Sequence, residues 1–119
     1  MGGIEALLSA MKGHQDHAGV QESACGALSV LSSDNPENQS RIGQAGGIEA
    51  LLSAMKRHEN HADVQEYACI VFYCISFNAE RKRRAIDAGA IPAIEAARRN
   101  HPNNDEVQTE AADALGQLR

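Results

Sequence analysis

Apolar side chains at Ile4, Leu7, Leu8 and Met11 recur in three- and four-residue steps, the period of one helix face. The same stripe returns at Ile48, Leu51, Leu52 and Met55, and a thinner one at Ile91, Ile94 and Ala97. A polar stretch follows each, at residues 13–19, 57–63 and 99–105. A longer stripe then begins: Val20, Ala24, Ala27, Leu28 and Leu31 in the first instance. Its counterparts are Val64, Ala68, Val71, Phe72 and Ile75, then Val107, Ala111, Ala114, Leu115 and Leu118. The pattern predicts a short helix, a loop and a longer helix, three times over. Gln21, Gln65 and Gln108 recur near the start of the longer helices, with Glu22 and Glu66 beside the first two. An acidic first turn suits the positive end of a helix dipole.

A further short helix is predicted in each linker. Asn35-Pro36 opens the first, over residues 37–45, and Gly46-Gly47 closes it. The second covers residues 78–88 and is closed by Gly89. Pro92 falls near the next helix start, where its missing N–H costs nothing. No strand pattern survives.

The recurrence is close to literal. Residues 2–25 return at residues 46–69 with five of 24 positions changed, and a worn third copy begins at Gly89. The offset is 44 residues and then 43, the period of a stacked helical repeat. Such units bury their apolar faces only against one another, and the stack offers one long surface.

The unit resembles the armadillo repeat. The resemblance rests on Gln44-Ala45-Gly46-Gly47-Ile48 and its relative Asp87-Ala88-Gly89-Ala90-Ile91-Pro92. It rests also on Val-Gln-Glu-x-Ala at residues 20–24 and 64–68, and on Gly26-Ala27-Leu28-Ser29. HEAT repeats are the nearest rival, but they use two helices, and the short helix before each glycine corner argues against them. The resemblance implies an all-α fold, a right-handed armadillo-type superhelix occupying residues 1–119. A partial repeat would cover residues 2–34, and complete repeats residues 35–77 and 78–119.

In this family the third helices line a concave groove that holds extended peptides of partner proteins. In the nuclear-import adaptors the third helix carries a Trp and, four residues on, an Asn. Those positions here are Gly26, Ile70 and Asp113, then Val30, Cys74 and Gln117. The Trp and Asn ladders are absent, so the resemblance does not extend to nuclear-signal binding. A different groove is expected, with Ser23, Tyr67 and Glu110 in one row and Ser29, Tyr73 and Gly116 in another. Phe77 joins Tyr67, Ile70, Tyr73 and Cys74 on the central copy, where nearly all the aromatics gather. Aromatic residues are enriched where proteins meet. Phe72 is expected in the core. Tyr67, Ile70, Tyr73, Cys74 and Gln117 are the leading contact candidates.

Neither end carries a polar-faced cap. Ile4, Leu7, Leu8 and Met11 are therefore expected to present bare apolar surface and to drive homo-oligomerisation. An excised or engineered piece of a longer array is the alternative. His14-x-x-His17 and His58-x-x-His61 have the look of metal pairs, but no cysteine completes four ligands, and solvated turn residues are the expectation. Arg81-Lys82-Arg83-Arg84 is expected to be a solvated outer face. No catalytic arrangement, metal site or cofactor is assigned.

Composition narrows the picture further. Apolar residues make up 43%, with two Phe, two Tyr and no Trp, which suits closely packed Ala- and Leu-rich helices. Net charge is −5, against a nucleic-acid partner. Three cysteines without a CxxC fit a reduced, intracellular setting, cytoplasmic or nuclear. No apolar run is long enough for a membrane span.

Overall fold

A computed structural model describes residues 2–119, and eight helices and no strand are present among them. They are α1 (Gly3–Gly13), α2 (Ala18–Ser32), α3 (Pro36–Gln44), α4 (Gly47–Arg57), α5 (Ala62–Ile75), α6 (Ala79–Ala88), α7 (Ala90–Asn100) and α8 (Asp105–Leu118). Helix starts are fixed by side chains that accept from orphan N–H groups. Asn35 accepts from Asn38 N (3.0 Å), Asn78 from Arg81 N (2.9 Å) and Asn104 from Val107 N (3.0 Å). His17 does the same through Nδ1 for Val20 N, at 3.1 Å.

The corners between α3 and α4, and between α6 and α7, turn on left-handed glycines. Gly46 has φ +86° and Gly89 has φ +103°. Gly47 serves a different need: a Cβ there would meet the Ile42 carbonyl oxygen at 2.6 Å. Gly89→Ala is expected to lower stability by about 1–2 kcal/mol, because an L side chain strains the left-handed backbone. Gly13→Ala is the contrast, since it lies in a helix with open space around it. There the change should be neutral or stabilising by up to about 1 kcal/mol. Urea denaturation of the two variants checks the pair.

The chain is an all-α solenoid. Helices α2, α5 and α8 pack closely in sequence, each against the next. The matching outer helices α1, α4 and α7 touch far less. Clefts of about 600 Å³ between α1 and α4, and about 350 Å³ between α4 and α7, mark the splay. Tight inner and splayed outer rows mean that the stack curves, with α2, α5 and α8 on its inner side. Phe72, Leu28, Leu51, Ile48 and Ile94 are fully buried between the rows.

One expectation needs correction. Ile4, Leu8 and Met11 are buried, and only Leu7 stays half-exposed. The stripe on α1 faces α2, α3 and α4, all of which follow it in the chain. Its cover therefore comes from its own and the next repeat, and no earlier helix is needed.

Candidate functional site

The inner face of α5 runs through Asp63, Glu66, Tyr67, Ile70 and Tyr73, spaced by three and four residues, and Phe77 follows in the turn after the helix. Phe72, next to Tyr73, points the other way and is fully buried. Tyr73 is 38% exposed and Phe77 60%, and their rings meet edge to face at 5.0 Å and 89°. Val30, on the neighbouring α2, is 75% exposed. Ile70, one turn before Tyr73 on the same helix, is half-buried. Contiguous exposed apolar side chains, such as the Tyr73–Phe77 pair, mark candidate interaction surfaces.

The other expected groove residues divide. Ser23, Asp113 and Gly116 are exposed, and Gly26, Glu110 and Gln117 are half-buried. Tyr67 is half-buried and lies over Gly26, where a Cβ would stand 3.4 Å from its ring. It thus bridges α2 and α5 as well as edging the groove. Cys74 is only 8% exposed, so its thiol lies beneath the groove surface. Ser29 is also buried, its hydroxyl donating to Gly26 O at 2.6 Å. Gln117 donates from Nε2 to Ser76 O at 3.3 Å, which ties α8 to the end of α5. For Cys74 and Ser29, helical register places the residue correctly while the neighbouring helix takes away the exposure.

Charge is segregated by helix. All 11 Lys and Arg residues lie outside α2, α5 and α8. Those three helices carry Glu22, Asp63, Glu66, Asp105, Glu106, Glu110 and Asp113. Partial burial raises the Glu66 carboxyl above its ordinary value, and repulsion from Asp63, Glu106 and Glu110 adds to the rise. Glu110 is raised by burial and by Asp113. Tyr67 is raised by burial and by Asp63, Glu66 and Glu22. Among the described residues the ion pairs are Arg41–Glu5, Arg57–Asp16, His61–Glu22 and Arg119–Glu95. Glu66, Glu110 and Asp113 belong to none of them. The sequence signal for this segregation was present, in the lack of any cation on the three longer helices. It becomes meaningful only once those helices are known to share a surface.

The recurrent glutamines and histidines prove structural. Gln21 donates to Met11 O (3.1 Å) and His14 O (2.8 Å). Gln65 donates to Met55 O and His58 O, both at 3.0 Å, and Gln108 to Arg98 O (3.0 Å) and His101 O (2.9 Å). Each thereby satisfies carbonyls orphaned at the end of the preceding helix. His58 Nε2 reaches Gln15 O at 2.7 Å, and His101 Nε2 reaches Glu59 O at 2.8 Å. A carbonyl only accepts, so both rings carry the proton on Nε2. These two histidines link each loop to the one before, where solvated turns were expected. No cluster of metal-ligating residues occurs among the described residues.

Half of the basic run is also structural. Arg81 Nε donates to Ile75 O and Arg84 Nη2 to Gly43 O, both at 3.0 Å, while Arg83 is exposed. Cys25 and Cys69 are free thiols in the core, and burial pushes both up to about 12. No helix is long and apolar enough to cross a membrane.

An array of three-helix units with a continuous inner row defines an α-helical repeat solenoid. The chain matches the family described as LRRK2 ARM repeat over residues 4–118, and it belongs to that family of armadillo repeats. It is also similar to Protein aardvark of Dictyostelium discoideum, at 60% identity over 37 residues. That stretch is 31% of this chain and 5% of the relative, so the chain spans a small part of the relative's length. No solved structure matches.

Proposed function

We propose that the chain is a protein-interaction module, not an enzyme, and that it holds an extended segment of a partner along α2, α5 and α8. One observation carries the reading: Tyr73 and Phe77 form an exposed aromatic pair at the inner row, with half-buried Ile70 one turn before them. Each of these residues would leave water on binding, and a few buried aromatic anchors supply most of the affinity at such surfaces. Tyr67 edges the patch, and Ser23, Gly26, Glu110, Asp113 and Gln117 flank it. Amide hydrogen bonds to the peptide backbone would come from Gln117, whose carbonyl oxygen is uncommitted.

Tyr73→Ala and Phe77→Ala are each expected to weaken partner binding by about tenfold or more, on the order of 1.4 kcal/mol. Stability should change by less than about 1 kcal/mol, since both side chains face outward. Calorimetric titration with the partner, alongside thermal melts, checks both. Equal loss of binding and of stability would make the two residues structural.

The second reading is self-association. Burial of Ile4, Leu8 and Met11 removes most of the surface it relied on, leaving Leu7. Light scattering over a concentration series tests it, and a concentration-independent monomer would end it.

A further inference from the structure

We infer that two copies of the chain pair back to back through the end of the stack formed by α1 and α2, with their α2 helices antiparallel across a two-fold axis. The inference rests on the self-association reading above and gives it a face and a symmetry that the buried α1 stripe did not supply.

Repeat register identifies the face. Tyr67 on α5 lies over Gly26 on α2, and Gln117 on α8 donates to Ser76 O at the end of α5. These two positions point at the preceding repeat, and their counterparts on α2 are Ser23 and Val30. Among the described residues nothing covers that side of α2. Identical residues measure what cover does. Leu7, Ala10 and Val20 are half-buried, while their copies Leu51, Ala54 and Val64 are buried to 1% exposure or less. Val30 is 75% exposed, and its counterpart Cys74 only 8%.

Head-to-tail stacking does not close this face. The opposite end of the stack, on α7 and α8, is polar where the first two repeats are apolar. Glu95 stands in place of Leu8 and Leu52, and Arg98 in place of Met11 and Met55. Asp113 stands in place of Gly26 and Ile70. Arg98 and Asp113 are exposed, and so is Ala112, whose counterparts Cys25 and Cys69 are fully buried. A terminal repeat needs such a polar outer face in water. Seating the apolar end on it would strip water from these charges without giving them partners.

A second copy fits because the stripe on α2 is self-complementary. It reads Val20, Ser23, Ala27 and Val30, in steps of three, four and three. Laid antiparallel on itself, the stripe sets Val20 opposite the partner's Val30 and Ser23 opposite the partner's Ala27. Small residues then meet at the middle, where two helices approach closest, and valines close over both ends. None of the four is charged, nor are Ala6, Leu7 and Ala10 on α1, so a two-fold contact sets no like charges together. Two helices side by side offer roughly 20 Å by 20 Å, about 400 Å² per copy, the size of a weak and reversible contact.

Sedimentation equilibrium of the full chain, from about 10 μM to about 1 mM, should show monomer and dimer and no larger species. Val20→Glu and Val30→Lys have signs that suit the helix dipole. Each should weaken the dimer about tenfold or more and leave thermal melts of the dilute chain unchanged. Both changes in one chain should give a tighter dimer than either alone, because residue 20 faces residue 30 of the other copy. Ala112→Glu, at the polar end, should change nothing. A double variant weaker than both single ones overturns the antiparallel register, and species growing beyond the dimer overturn the two-fold axis. A dimer indifferent to Val30→Lys, or lost with Ala112→Glu, overturns the choice of face and leaves self-association standing. A monomer throughout ends both the inference and the reading beneath it.

Discussion

Phe72→Ala is expected to cost about 3–5 kcal/mol, a large share of the roughly 5–15 kcal/mol that holds such a domain folded. Phe72 is the largest fully buried side chain of the protein, and it lies on the central inner helix. Truncation removes its transfer free energy and leaves a cavity that packed neighbours fill only in part. The melting point should fall by on the order of 15 °C. Tyr73, the next residue, is the internal control. Its side chain is 38% exposed, so Tyr73→Ala should cost less than about 1 kcal/mol. Thermal melts of both variants decide the matter. Equal losses would mean that α5 is rotated from the orientation described, and the exposed Tyr73–Phe77 pair would go with it.

The second large effect is expected at Gln65. Its amide donates to two carbonyls at the end of α4, those of Met55 and His58, and the side chain is 2% exposed. Gln65→Leu keeps the volume and removes both donors. Met55 O is left without a partner, while His58 O keeps the His61 N–H at 2.9 Å. A buried acceptor left without a partner costs about 1–3 kcal/mol, and that loss is expected here. The loop after α4 should also loosen, because His58 holds Gln15 O of the preceding loop. Gln108→Leu is the matched comparison. Its amide makes the same pair of bonds to Arg98 O and His101 O, but in a partly exposed setting where water can replace it. About half the loss is expected. Urea denaturation, with hydrogen exchange at residues 57–61, separates a local opening from a global one.

Much of this architecture is legible in the residue pattern. Stripes such as Ile48, Leu51, Leu52 and Met55 carry helix period, face and length together. Asn35, Asn78 and Asn104 announce helix starts, and Gly46 and Gly89 announce the corners. Phe72 is assignable to the core because its register matches Leu28 and Leu115. The histidine column misled, because loop residues carry no period from which burial can be read. Its partners lie one repeat away, at Gln15 and Glu59, and a carbonyl leaves no mark in a side-chain sequence. Cys74 misled in a different way. Register aims it at the groove edge, but packing leaves it only 8% exposed.

What the sequence alone determined is the repeat: three helices and a glycine corner, returning at 44 and 43 residues, in a pattern only a stack can bury. Local periodicity suffices for that, because each helix states its own apolar face. The tertiary structure decided which faces stay open. It hid Ile4, Leu8 and Met11 behind later helices, and left Val30, Tyr73 and Phe77 in the open. It also set the carboxylates of three separate helices along one surface. Exposure and electrostatic potential depend on what neighbouring helices cover, and that is a property of the stacked molecule and not of any one stretch of chain.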